Sequence, residues 1–126
     1  MRKLLGLVLA FALLASPLAI AQKAPLIRDG GWWKEKSTSF REGFVNGYRA
    51  ALVHSATPKQ LADLEGFQSS QAVEGLNAFY GDFRNKLILI DDAIAYVIDQ
   101  VKGMPDDQLA AELQKMRKAA ASRGEQ

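Results

Sequence analysis

Apolar positions recur at helical spacing in several stretches of the chain. Phe40, Phe44, Tyr48 and Leu52 follow one another every four residues, with Val45 and Ala51 beside them. One apolar stripe of that period predicts a helix over residues 39–55. Ser39 and Glu42 stand three apart at its start, the spacing at which a hydroxyl and a carboxylate cap each other's backbone N–H groups. Gly43 and Gly47 lie four apart inside it. Each costs up to ~1 kcal/mol against Ala in a helix interior, so a neighbouring helix is expected to approach closely on that side.

Thr57-Pro58 opens a second, short helix, with Thr as cap, Pro at the first helical position and Gln60 completing a capping box. Leu61 and Leu64 form its buried side, and Gly66 is placed to end it in a left-handed turn. Ser69 and Ser70 open a third helix, in which Val73, Leu76, Phe79 and Tyr80 recur at spacings of three and four, with Gly81 as the stop. The polar turn Asp82-Phe83-Arg84-Asn85-Lys86 comes next. Leu87-Ile88-Leu89-Ile90 would suit a buried strand, but a lone strand leaves its backbone groups unpaired. An extended approach to a helix capped by Asp91 is therefore preferred. That helix carries Ile94, Val97, Ile98 and Val101 on one face and stops at Gly103. The last helix starts at Pro105-Asp106-Asp107, has Leu109, Leu113, Met116 and Ala120 as its stripe, and gathers Lys115, Arg117, Lys118 and Arg123 toward its negative end. The pattern predicts an all-α, single-domain bundle of four to five short helices.

The amino end reads differently. Met1-Arg2-Lys3 is basic, Leu4 to Ile20 is nearly all apolar, and Ala19-Ile20-Ala21 is a small-x-small site. These are the parts of a secretory leader, with cleavage expected before Gln22. The resulting division is a signal peptide over residues 1–21, an irregular arm over 22–36 holding Trp32 and Trp33, a helical domain over 37–121 and a frayed tail over 122–126. The expected location is the periplasm or the secreted space. After cleavage no stretch approaches the ~18 apolar residues of a membrane span, so the mature chain is not expected to cross a membrane.

The 126 residues carry 16 Lys and Arg against 14 Asp and Glu. Two of those cations, Arg2 and Lys3, belong to the leader, so the mature chain is formally neutral. A neutral domain argues against general nucleic-acid binding, which requires a surplus of cations to displace counterions. One His and no Cys leave little for a soft-metal site and nothing for a disulfide. His54 is near the end of the first helix, where the dipole favours a cation. Asp91-Asp92 and Asp106-Asp107 each open a predicted helix, which accounts for them as capping and dipole acids rather than cation ligands. No G-x-G-x-x-G, P-loop, H-E-x-x-H or G-x-S-x-G motif occurs. The expectation is a protein that is not an enzyme and has no metal or cofactor.

Aromatic residues are the more informative candidates. A tandem tryptophan is hard to bury on both sides, and Trp is over-represented among residues that carry binding energy. Trp32, Trp33 and the turn residues Phe83, Arg84 and Asn85 are therefore the candidate partner-binding residues. The partner expected is another protein. The alternative is a small ligand or envelope polymer held in a pocket at the aromatic turn.

The runs Phe44-Val45-Asn46-Gly47-Tyr48, Glu74-Gly75-Leu76-Asn77-Ala78-Phe79-Tyr80 and Ile90-Asp91-Asp92-Ala93-Ile94 occur in this order. Over residues 40–103 the layout resembles the small exported helical proteins of the type VI secretion amidase immunity (Tai-like) family. The chain departs from that family's pattern in having no cysteine. The resemblance implies an all-α periplasmic fold and a role in binding and blocking a toxin enzyme, and it transfers no functional residue.

Overall fold

The computed structural model describes residues 25–125, so the leader and its cleavage site lie outside the described residues. Among those residues the elements are α1 (Gly30–Lys34), α2 (Thr38–Ser55), α3 (Pro58–Glu65), α4 (Ser69–Phe79), a 3-10 turn (Phe83–Asn85), α5 (Ile90–Val101) and α6 (Asp106–Gly124). The all-α expectation holds, with five helices of eight residues or more and one short helix ahead of them.

The core is built from residues three and four apart. α4 buries Ala72, Val73, Leu76 and Phe79, and α5 buries Ile90, Ala93, Ile94 and Val97. Their axes come close because Gly75 has no side chain: a Cβ there would overlap Cγ1 of the buried Val97. α2 also packs on α4, and α6 on α5. α6 contributes buried Leu109 and Ala120, with Leu113 and Met116 half-buried.

Several local expectations are corrected. Ser37, not Ser39, caps α2, accepting from Phe40 N at 3.2 Å. Two hydroxyls two positions apart compete for one helix start, and the helix takes the earlier one. The glycine face of α2 looks onto open space, with nothing within 4 Å of a Cβ at Gly43 or Gly47. The close approach is made by Gly75 instead. Pro58 opens α3 as expected and Leu61 is half-buried, whereas the side chain of Leu64 lies outside the described residues. The left-handed glycine is Gly103, φ 81°, at the end of α5, not Gly66.

The arm over 22–36 is not irregular throughout, since its second half folds as α1. Asp29 caps α1 by accepting from Trp32 N at 3.1 Å. Its last carbonyls are satisfied by Arg41, whose guanidinium donates to Trp33 O and Lys34 O, each at 3.1 Å. A five-residue helix has no length to stabilise itself, so these external donors hold it. Before α1, Asp29 pairs with Leu89 in an isolated antiparallel bridge, Gly30 N donates to Lys86 O at 2.9 Å, and Ile90 N donates to Arg28 O at 2.8 Å. The arm thus supplies the backbone partner that residues 87–90 need. Leu89 becomes the backbone N-cap of α5, and Asp91 falls in its first turn. Gly30 is also required here: the ring of Tyr80 occupies the space of a Cβ. At the other end α6 continues to Gly124, so most of the expected frayed tail is helical.

Candidate functional site

The polar turn between α4 and α5 is held more firmly than its composition announces. Asp82 caps the 3-10 turn, its carboxylate accepting from Arg84 N at 3.0 Å. The Arg84 side chain closes on the same carboxylate, Nη2 to Oδ2 at 2.6 Å and Nε to Oδ1 at 3.0 Å. From α6, Arg117 reaches Asp82 Oδ2 with Nη2 at 2.9 Å and Asn85 Oδ1 with Nε at 2.8 Å. Asn85 is buried and donates from Nδ2 to Phe79 O at 2.8 Å. Hydrogen bonds from the side chain and then the backbone of Arg84, joined by the charge of Arg117, hold the Asp82 carboxyl well below the usual carboxylate range.

Phe83 stands on this turn with 81% of its surface exposed. The three turn residues expected to face a partner therefore separate. Phe83 does face solvent. Arg84 is exposed but paired with Asp82. Asn85 faces inward and is corrected to a structural residue, because both ends of its amide are engaged, Nδ2 with Phe79 O and Oδ1 with Arg117.

The two tryptophans also separate. Trp33 is in the core, with its indole N–H donating to Asn77 Oδ1 at 2.9 Å and the Arg41 guanidinium 5.4 Å above its ring centroid. It is corrected from a contact residue to a packing residue. Trp32 is half-buried, edge-on to Phe44 at 5.2 Å and to Phe40 at 5.7 Å between centroids. Arg28 and Lys36 stand over its ring at 5.9 and 5.2 Å. The Phe40–Phe44 end of the α2 stripe is thus covered by the tryptophans of α1, while α2 also packs on α4.

An open cleft of about 410 Å³ runs beside the start of the arm, lined chiefly by Leu26, Ile27, Leu87, Leu89, Ile90 and Ala120. Arg28, Asp29, Asp91 and Arg123 also line it. A second of about 390 Å³ lies between α3 and α5, with Phe67, Ile98 and Val101 in its wall. Neither is lined by Phe83, Arg84 or Asn85, so the expected pocket at the aromatic turn is not formed by these two hollows.

Asp82, Arg117 and the Leu26-Ile27 pair escaped the sequence reading. Arg117 is 32 residues from Asn85 and sits in a run of basic residues already explained by the helix dipole, so no local signal marks it. Leu26 and Ile27 lack a period because they precede any helix. His54 is exposed near the end of α2. No cluster of three His, Cys, Asp or Glu side chains able to hold a metal occurs among the described residues, and no helix among them is long and apolar enough to cross a membrane. Comparison with family models, curated proteins and solved structures finds no match for this chain.

Proposed function

We propose that this chain is an exported, non-enzymatic protein of the periplasm or secreted space that acts by protein–protein contact, in the manner of an inhibitor or immunity protein. The observation that carries this reading is Phe83. A large apolar side chain 81% exposed offers area whose burial would favour binding, and this one is presented on a turn fastened by Asp82, Arg84, Asn85 and Arg117. Preorganisation of that kind lowers the entropy lost on binding, and a central aromatic is the residue type that anchors interfaces.

The test places a photo-crosslinking residue at position 83 and, separately, at Lys115 on α6. Position 83 is expected to give one saturable protein adduct in the envelope fraction, and position 115 none. The Phe83→Ala variant should keep its melting temperature and bind the isolated partner at least ~30-fold more weakly, the scale of a hot-spot truncation of ~2 kcal/mol. If the partner is an enzyme, saturation should also abolish its activity. Equal adducts at both positions, or unchanged affinity of the alanine variant, would remove Phe83 from the interface.

A further inference from the structure

We propose that the amino-terminal arm and α1 form a docking surface for an anionic phospholipid bilayer, distinct from the contact turn at Phe83. Leu26 and Ile27 are adjacent in the chain, 68% and 64% exposed, and absent from the core. Arg28 follows at once, and the ring contacts continue the surface through Trp32 to Lys36 and Phe40, the last 46% exposed. Apolar side chains, a half-exposed indole and flanking cations are the makeup of a segment that lies at a lipid–water interface. The apolar groups enter the boundary region while Arg28, exposed Lys34 and Lys36 meet lipid phosphates.

Charge complementarity favours a lipid surface of negative sign. Residues 25–41 carry four Lys or Arg against Asp29 and Glu35, whereas residues 42–125 carry nine against twelve acids. The arm and the start of α2 are therefore cationic in a chain whose remainder is acidic on balance, the other cationic run being Lys115, Arg117, Lys118 and Arg123 on α6, of which Arg117 is paired with Asp82. Asp29 is engaged at the α1 N-cap, which leaves Glu35 as the other acid of the segment. Three cations and two aliphatic side chains make for weak, reversible docking that salt disrupts.

The experiment uses the chain from Gln22, which keeps every core residue, since the described core spans Trp33 to Ala120. It is floated with vesicles containing phosphatidylglycerol, and with vesicles of phosphatidylcholine alone. Binding is expected to the anionic vesicles and to fall steeply with salt. Each basic residue near such a surface is worth roughly fivefold in partition, so Arg28→Gln/Lys36→Gln should bind about 25-fold less. The same charge change at exposed Lys115 and Lys118 on α6 should leave binding within about twofold of the parent. Leu26→Ser/Ile27→Ser removes only exposed side chains, so it should keep the parent fold and also lose binding. Trp32 emission should shift to the blue on vesicles and be lost in Trp32→Phe, because buried Trp33 does not move. The proposal is overturned if anionic vesicles are not bound, if phosphatidylcholine binds equally, or if the α6 pair loses as much as the arm pair. It is also overturned if Leu26→Ser/Ile27→Ser binds as the parent does, or if an acidic protein takes this surface while vesicles do not.

Discussion

The same substitution, Gly to Ala, should have opposite signs at Gly75 and at Gly47. Both glycines sit inside helices, so alanine brings each a gain in helix propensity of up to ~1 kcal/mol. At Gly47 nothing lies within 4 Å of the new methyl, and the gain stands alone. At Gly75 the methyl overlaps Val97 Cγ1 and lies 3.5 Å from Val97 Cβ. Val97 is buried, and a valine in a helix has one strongly preferred χ1 rotamer. It cannot swing away, and α4 and α5 must separate instead. Overpacking of that kind costs about 1–3 kcal/mol. With an immobile neighbour the upper part of that range applies, giving a net loss of about 1–2 kcal/mol after the propensity gain. The two alanine variants should therefore differ by about 2–3 kcal/mol. Urea titration followed by circular dichroism reads this as one midpoint above the parent and one below, at unchanged slope. Combining Gly75→Ala with Val97→Ala removes the clash, so the double variant should lose at least ~0.5 kcal/mol less than the sum of the singles. A Gly75→Ala protein more stable than the parent, or strict additivity with Val97→Ala, would refute the packing argument.

Asn85→Ala should destabilise by about 2–3 kcal/mol in the same titration, because it strands the buried Phe79 carbonyl and removes the acceptor of Arg117; a loss under ~0.5 kcal/mol would show that water replaces the amide. Asp82 gives a pH signature. Its carboxyl is held low in the fold, so its stabilising contribution is present above the unfolded value of about 4 and is lost as pH falls below it. Asp82→Asn should accordingly be less sensitive than the parent to acid below about pH 4, measured as melting temperature against pH, and parallel curves would contradict the ion pairing.

The long elements were legible because one face of each is buried. The three-and-four spacing of Val73, Leu76 and Phe79, and of Ile94 and Val97, matches the core-facing sides of α4 and α5. Periodicity says nothing about which helix supplies the cover, and there the reading failed. The α2 stripe gave no sign that the short α1 and its tryptophans would cover its Phe40–Phe44 end. The spacing of Gly43 and Gly47 advertised a close approach that a single glycine elsewhere, Gly75, provides. The candidate site divided for a similar reason. Adjacent residues such as Trp32 and Trp33, or Arg84 and Asn85, differ in burial although nothing in their local sequence separates them. Only the distant partners Asn77, Arg41 and Arg117 decide which of each pair faces inward.

Arg117 sets an order of events. A polypeptide leaves the ribosome amino end first, so Asp82, Phe83 and Asn85 are made well before the guanidinium that secures them. Until α6 has been synthesised and laid on α5, Asn85 Oδ1 lacks the donor it has in the finished molecule, and the turn relies on Arg84, the Asn85–Phe79 bond and its own backbone. The aromatic knob therefore gains its second fastening among the final acts of the chain's formation, and an unfinished molecule does not present Phe83 as the finished one does.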